Sequence, residues 1–146
     1  MKIQGSYNIP ASQEIVFTQL LNPKVLASAL PGCERLAPSP DGTYQAVMKV
    51  GIAAVKGTYK GRVEILDQKP PEEFRIRVNA TGKAGFLKGD GKIVLVPSDG
   101  GTIVSYSGET QVGGMIAAIG QRMIQAATKQ IVSQFFQAFA KHVQEH

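Results

Sequence analysis

The chain has 146 residues, 43% of them apolar and 18% charged, and its 16 Lys and Arg outnumber 11 Asp and Glu for a net charge of +5. That length fits one ordinary domain over residues 1–146, and that apolar share excludes a disordered or fibrous chain. One cysteine excludes an internal disulfide and a multi-cysteine metal site, and no run approaches the roughly 18 apolar residues that span a bilayer, so a cytoplasmic location is expected.

Ile3, Gly5, Tyr7 and Ile9 alternate with polar residues up to Pro10, the period-two pattern of a half-buried strand. Ser12 then caps a short helix with an apolar stripe of Ile15, Val16, Leu20 and Leu21. Asn22 before Pro23 restarts a second helix, which Pro31 and Gly32 stop. From Cys33 the pattern becomes a meander of strands, reversed at Asp41-Gly42, Pro70-Pro71 and Gly100-Gly101. In the strand over residues 56–65, Tyr59, Gly61, Val63 and Ile65 share one face, and Lys56, Lys60, Arg62 and Glu64 the other. Phe74, Ile76, Val78 and Ala80 repeat this alternation against Arg75, Arg77, Asn79 and Thr81. A glycine-rich bend follows with Phe86 and Leu87 at its tip, then strands near residues 92–96 and 102–112. After Gly113 and Gly114 the remainder reads as one long helix on the order of 40 Å, with Ile116, Ile119, Met123, Ala127, Ile131, Phe135 and Phe139 as its apolar stripe.

This order predicts an α+β fold: strand, two short helices, about six further strands in a curved antiparallel sheet, and a long C-terminal helix. A sheet of that many strands coils into a trough, which one straight helix cannot fill. Gly57, Gly61, Gly89, Gly91 and Gly108 keep the inner face small, and no tryptophan is present to plug the gap. The expected cavity lining is Tyr59, Val63, Phe74, Phe86, Tyr106, Met115, Ile119, Met123, Ala127 and Phe135. Such a lining selects an apolar small molecule by shape, at about 25 cal/mol per Å² buried, with a tyrosine hydroxyl orienting one polar group. The same aromatic and methionine residues also suit a dry, filled core.

Catalytic and metal chemistry finds little support. Gly82, Gly85, Gly89, Gly91 and Lys92 lack the spacing and following hydroxyl of a phosphate loop. His142 and His146 stand four apart at the terminus with no third ligand, and Cys33 has no nearby histidine. Glu64, Asp67, Glu72 and Glu73 fall on outward faces or turns, so no acid–base pair is nominated. Lys56, Lys60, Arg62, Arg75 and Arg77 form an outward basic face, either plain solvation or a docking surface for an acidic protein or anionic membrane. Nucleic acid is not an expected partner, because the aromatics alternate onto the opposite face. The apolar run at residues 113–120 serves either as core or as a portal, with Arg122 placed to touch lipid headgroups.

Five segments carry a resemblance: LPGCE at residues 30–34, KGTYKGRVEI at 56–65, KPP at 69–71, GGTIVSY at 100–106 and VGGMIAAIGQRMI at 112–124. Through them the chain resembles, over nearly its full length, the carbon monoxide dehydrogenase CoxG family. That family lies in the superfamily of START lipid-transfer domains and birch-pollen-allergen-like proteins. The resemblance implies a helix-grip fold with a hydrophobic cavity for a quinone or other lipid-like molecule. It also implies an accessory role in maturation or membrane recruitment of a molybdenum-containing carbon monoxide dehydrogenase, and it brings no catalytic residues. Two other readings remain open: a cyclase, hydratase or hydrolase acting in the same cavity, which needs an acid or histidine beside Tyr59 or Tyr106, and a ligand-free adaptor with a filled interior.

Overall fold

Two side-chain caps shape the start of the fold in the computed structural model, which describes residues 1–144. After strand β1 (Lys2–Ile9), the Ser12 hydroxyl accepts from the Ile15 N–H at 3.3 Å to open helix α1 (Gln13–Leu20). Asn22 then accepts from the Lys24 N–H at 3.0 Å and Pro23 occupies the first turn of α2 (Pro23–Ala29). The strands β2 (Cys33–Pro38), β3 (Tyr44–Val50), β4 (Gly57–Lys69), β5 (Glu73–Gly82), β6 (Gly85–Ser98) and β7 (Gly101–Gly113) follow, and α3 (Gln121–Gln144) ends the described chain. Short 3-10 turns at Ala53–Val55 and Met115–Ile119 precede β4 and α3. The seven strands form one antiparallel sheet in the order β1-β7-β6-β5-β4-β3-β2. This is the expected curved sheet with a long C-terminal helix.

Register explains the shape of the inner face. One line across the sheet runs Tyr44, Val63, Val78, Gly89, Thr110, and the next runs Ile65, Ile76, Gly91, Gly108, Ile3. Three glycines therefore stand together where β6 meets β7, and no side chain rises there toward the helix. Val63, Ile65, Ile76 and Val78 stay half-buried. The helix backbone neighbours α2, the two 3-10 turns, α1 and β1 rather than the central strands. Apolar packing concentrates at the opposite end, where α1, α2 and the last turns of α3 close on Phe74, Leu95 and Val104. There Phe17 meets Phe74 edge-to-face at 5.7 Å, and Phe139 is fully buried.

Two of the resemblance segments owe their glycines to backbone geometry. Gly32 has φ +75°, its carbonyl accepts from the Lys49 N–H at 2.7 Å, and a β-carbon there would collide with the Lys49 carbonyl. Gly114 has φ +82°, and a β-carbon would stand 2.6 Å from the Gly85 Cα. Both positions lock the ends of strands to neighbouring loops at distances that exclude any side chain.

Three expectations change. The glycine-rich stretch is strand, not bend: β5 ends at Gly82 and β6 begins at Gly85, so only Lys83 and Ala84 turn. The terminal helix does not begin at residue 115. A 3-10 turn comes first, and Gly120 at φ +94° breaks the path before α3 starts at Gln121. On α1 the buried apolar residues are Val16, Phe17 and Leu20, while Ile15 is half exposed.

Candidate functional site

At the end of the trough away from the aromatic core, a cavity of about 160 Å³ lies between the sheet, the two 3-10 turns and the first two turns of α3. Met48 and Val50 of β3, Tyr59 of β4, Ala80 of β5, Leu87 of β6 and Val112 of β7 form its floor. Val55 and Ile116 come from the 3-10 turns, and Ile124, Ala127 and Thr128 from α3 form its roof. Only Tyr59 and Thr128 bring a polar side-chain atom, and both are already committed. The Tyr59 hydroxyl donates to the Val55 carbonyl at 2.7 Å, and Thr128 Oγ1 donates to the Ile124 carbonyl at 2.8 Å. Burial pushes the Tyr59 phenol above its ordinary pKa, so it stays neutral. No acid, base or cation lines the space.

Size sets what this cavity admits. Apolar cavities near 150 Å³ stay dry and hold one benzene-sized guest, whereas pockets for whole drug-sized ligands run from roughly 300 Å³ upward. The space therefore takes a ring or a short length of chain, and a larger ligand must extend beyond it.

The structure separates the residues expected to line the cavity. Tyr59 and Ala127 do so. Val63 faces the trough but lies outside the cavity, half-buried, and Phe74 belongs to the filled core at 3% exposure. Phe135 packs beside that core, 5.0 Å from Phe136 and 5.8 Å from Phe139. Phe86 does not line the cavity: alternation along β6 turns it to the outer face, where its ring lies over Gly113 and Lys88 Nζ stands 5.8 Å from its centroid. Met115 and Met123 are 70% and 51% exposed, and Ile119 is half-buried outside the lining. Their neighbours Ile116 and Ile124 point inward instead.

Tyr106 lines a different space. Its ring stacks with Tyr7 and Phe136 at 6.4 and 6.3 Å and lies across Gly5. Burial, with a smaller contribution from Tyr7, raises its phenol pKa. It borders a cleft of about 240 Å³ between β1 and α3, together with Lys2, Ile3, Gln4, Gln125, Thr128 and Lys129. Thr128 belongs to both walls.

The outward basic face is partly neutralised. Arg62 pairs with Asp41 at 2.9 Å, and Arg77 reaches Asp90 at 3.3 Å and Glu64 at 3.9 Å. Lys56, Lys60 and Arg75 are exposed and carry no ion pair among the described residues. Exposed pairs of this kind add little stability. The Thr43 hydroxyl at 2.7 Å holds the Asp41 carboxyl below its ordinary pKa, aided by the Thr43 N–H at 3.1 Å and then by Arg62. A carboxylate lowered in the folded state contributes stability above its unfolded pKa of about 3.9 and loses it as pH falls through the folded value. NMR titration is expected to place the Asp41 midpoint below about 3.9, with Thr43→Val raising it more than Arg62→Gln. The reverse ranking would mean that the guanidinium dominates.

Cys33 opens β2 half-buried, its thiol pKa raised by burial. His142 is half-buried near the end of α3, and His146 lies outside the described residues. Among the described residues no three side chains are grouped to hold a metal ion, and no helix is long and apolar enough to cross a membrane.

Comparison with known proteins adds family and fold. The carbon monoxide dehydrogenase CoxG family matches residues 5–144. A crystal structure of a conserved protein from Geobacillus kaustophilus is 36% identical, with a TM-score of 0.96 over 99% of this chain and 96% of that one. A START superfamily protein from Mycobacterium smegmatis is 11% identical, with a TM-score of 0.75 over 99% and 97% of the two chains. Ara h 8.0201 is 14% identical, with a TM-score of 0.73 over 100% and 99%. No curated protein matches the sequence.

Proposed function

We propose, from the premise that this chain belongs to the carbon monoxide dehydrogenase CoxG family, that it is a non-catalytic carrier of an apolar molecule, a lipid or quinone. In this reading it serves a redox enzyme of the carbon monoxide dehydrogenase type. The observation that carries the reading is the cavity, whose lining is apolar apart from two hydroxyls that are already hydrogen-bonded within the protein. Nothing in that lining asks a ligand for a polar partner, so binding rests on shape and apolar area. The same feature disfavours the cavity enzyme: Tyr59 has neither an acid nor a histidine beside it in the lining.

Charge distribution adds a membrane contact to the proposal. All cavity residues fall within residues 42–63, 74–89 and 110–144, which contain no Asp or Glu but include Lys49, Lys56, Lys60, Lys83, Lys88 and Arg122. At the same end Met115 and Met123 stand exposed beside Ile116 and Ile124 of the cavity wall. Exposed Met115 and Met123, with Arg122 between them in sequence, suit an anionic bilayer surface, where each lysine or arginine near the headgroups is worth about 1 kcal/mol.

One experiment tests both parts. The protein is incubated with quinone-containing vesicles of anionic or zwitterionic phospholipid, separated from them, extracted and analysed by mass spectrometry. Quinone or phospholipid should be recovered with the protein, and more from the anionic vesicles. Recovery of no apolar molecule from either would remove the carrier proposal, and equal recovery from both would remove the membrane contact.

A further inference from the structure

The β1–α3 cleft differs from the apolar cavity in every chemical respect, yet the two share Thr128. Its hydroxyl is turned into its own helix toward the Ile124 carbonyl, so it does not compete for a guest on either side. The cleft offers donors from Lys129, Gln125 and the Tyr106 hydroxyl, while Lys2 borders it through its backbone, its side chain turned by strand alternation to the outer face beside Glu109. No carboxylate lines it. Glu109, opposite Lys2 on the outer face, pairs with the Met1 ammonium at 3.6 Å, and Lys129 has no ion pair among the described residues.

Tyr106 is positioned for a guest without having one within the protein. Stacking against Tyr7 and Phe136 fixes its ring, and the absence of a side chain at Gly5 makes room for it, since a β-carbon there would stand 2.7 Å from the hydroxyl. The hydroxyl itself makes no hydrogen bond among the described residues. Across the cleft the Gln125 side chain reaches the Lys2 carbonyl at 3.4 Å, a long contact at the weak end of hydrogen-bond geometry.

We infer that this cleft binds the oxyanion head, carboxylate or phosphate, of an amphiphile whose apolar end occupies the neighbouring cavity. The inference rests on the carrier proposal and names the ligand class. The cavity alone takes only a ring or a short chain, so the rest of the ligand must leave it, and across the shared Thr128 wall stands the unpaired cation of Lys129. Hydrogen bonds from an ammonium to an oxyanion are roughly twice as strong as neutral ones, which gives the head a clear preference over an alcohol of equal chain length.

The test compares decanoate, decyl phosphate and decanol by isothermal titration calorimetry. The wild-type protein should bind the better of the two anions at least about tenfold more tightly than decanol, a difference of about 1.4 kcal/mol. That gap should narrow as salt is added. Lys129 is exposed on α3, so Lys129→Gln should fold normally, retain decanol binding and lose most of the preference, while Lys129→Arg keeps it. Whichever anion binds more tightly identifies the head. Decanol binding as tightly as both anions, or an unchanged preference in Lys129→Gln, overturns the head site and leaves the cavity proposal standing. Failure of all three to bind removes both.

Discussion

Replacing Phe139 with alanine is expected to lower the melting temperature by about 10 °C or more, with little change in the cavity. The side chain is fully buried, stacked on Phe135 at 5.8 Å and edge-on to Phe136 at 6.5 Å. Truncating a buried phenylalanine costs about 3–5 kcal/mol, through lost apolar burial and the void left behind. For a domain of this size each kcal/mol moves the midpoint by roughly 2–4 °C or somewhat more. The surrounding ring edges and the α1 and α2 side chains are held by their own backbone elements and cannot close on the gap. Met123→Ala on the same helix, half exposed, should change stability by less than about 0.5 kcal/mol. A thermal melt followed by circular dichroism decides. A Phe139→Ala shift below about 3 °C would show that this end of the trough does not hold the helix to the sheet.

That division into a filled end and an open end is what the amino-acid order conveys only in part. Strand alternation, the Ser12 and Asn22-Pro23 caps and the turn residues at Gly100 and Gly101 are local signals, and the structure has each of them in its expected place. The phase of α3 is not local. A stripe drawn from Ile116 and Ile119 arrives at Met123, because it assumes one uninterrupted helix. The 3-10 turn has three residues per turn, and Gly120 at φ +94° resets the path, so the inward stripe restarts at Ile124 and Ala127. Phe86 illustrates the same limit in a strand. A bend from Gly82 to Gly91 assigns its side chain to neither face, but once Gly85 pairs with Gly82, alternation sends Leu87 inward and Phe86 out.

The cavity lining is legible in the sequence only at Tyr59 and Ala127. Apart from Thr128 its other members are ordinary apolar residues, drawn with it from seven different elements, and nothing at Met48, Val55 or Val112 distinguishes them from core. What brings them together is register across five strands and the two 3-10 turns, which are contacts between residues up to 80 positions apart in the chain. Tyr106 is the instructive case. Alternation predicts that it faces inward, and it does, but the glycine opposite it on β1 draws the ring sideways into the polar cleft. A tyrosine across from a glycine is visible in the register, not in the alternation of either strand.

Filling the cavity from the helix is expected to abolish binding of an apolar ligand while leaving the fold intact. Ala127 is buried and lines the cavity, and helical side chains lean toward the N-terminal turn, so a phenyl ring at this position points over Ile124 toward Ile116. The cavity of about 160 Å³ is open on one side, so a ring entering it meets few fixed side chains. Overpacking a well-filled core costs about 1–3 kcal/mol. The ring enters the cavity and incurs little of that cost, so Ala127→Phe should melt within a few degrees of the wild type. Binding of a quinone or a decyl chain should weaken at least about thirtyfold, near 2 kcal/mol. Ala126→Phe, one residue along on the exposed side of α3, supplies the control and should bind as the wild type does. Calorimetric titration and a thermal melt on the three proteins separate the outcomes. A destabilised Ala127→Phe would mean that side chains already meet across this space, and a stable variant that still binds would place the ligand elsewhere on the protein.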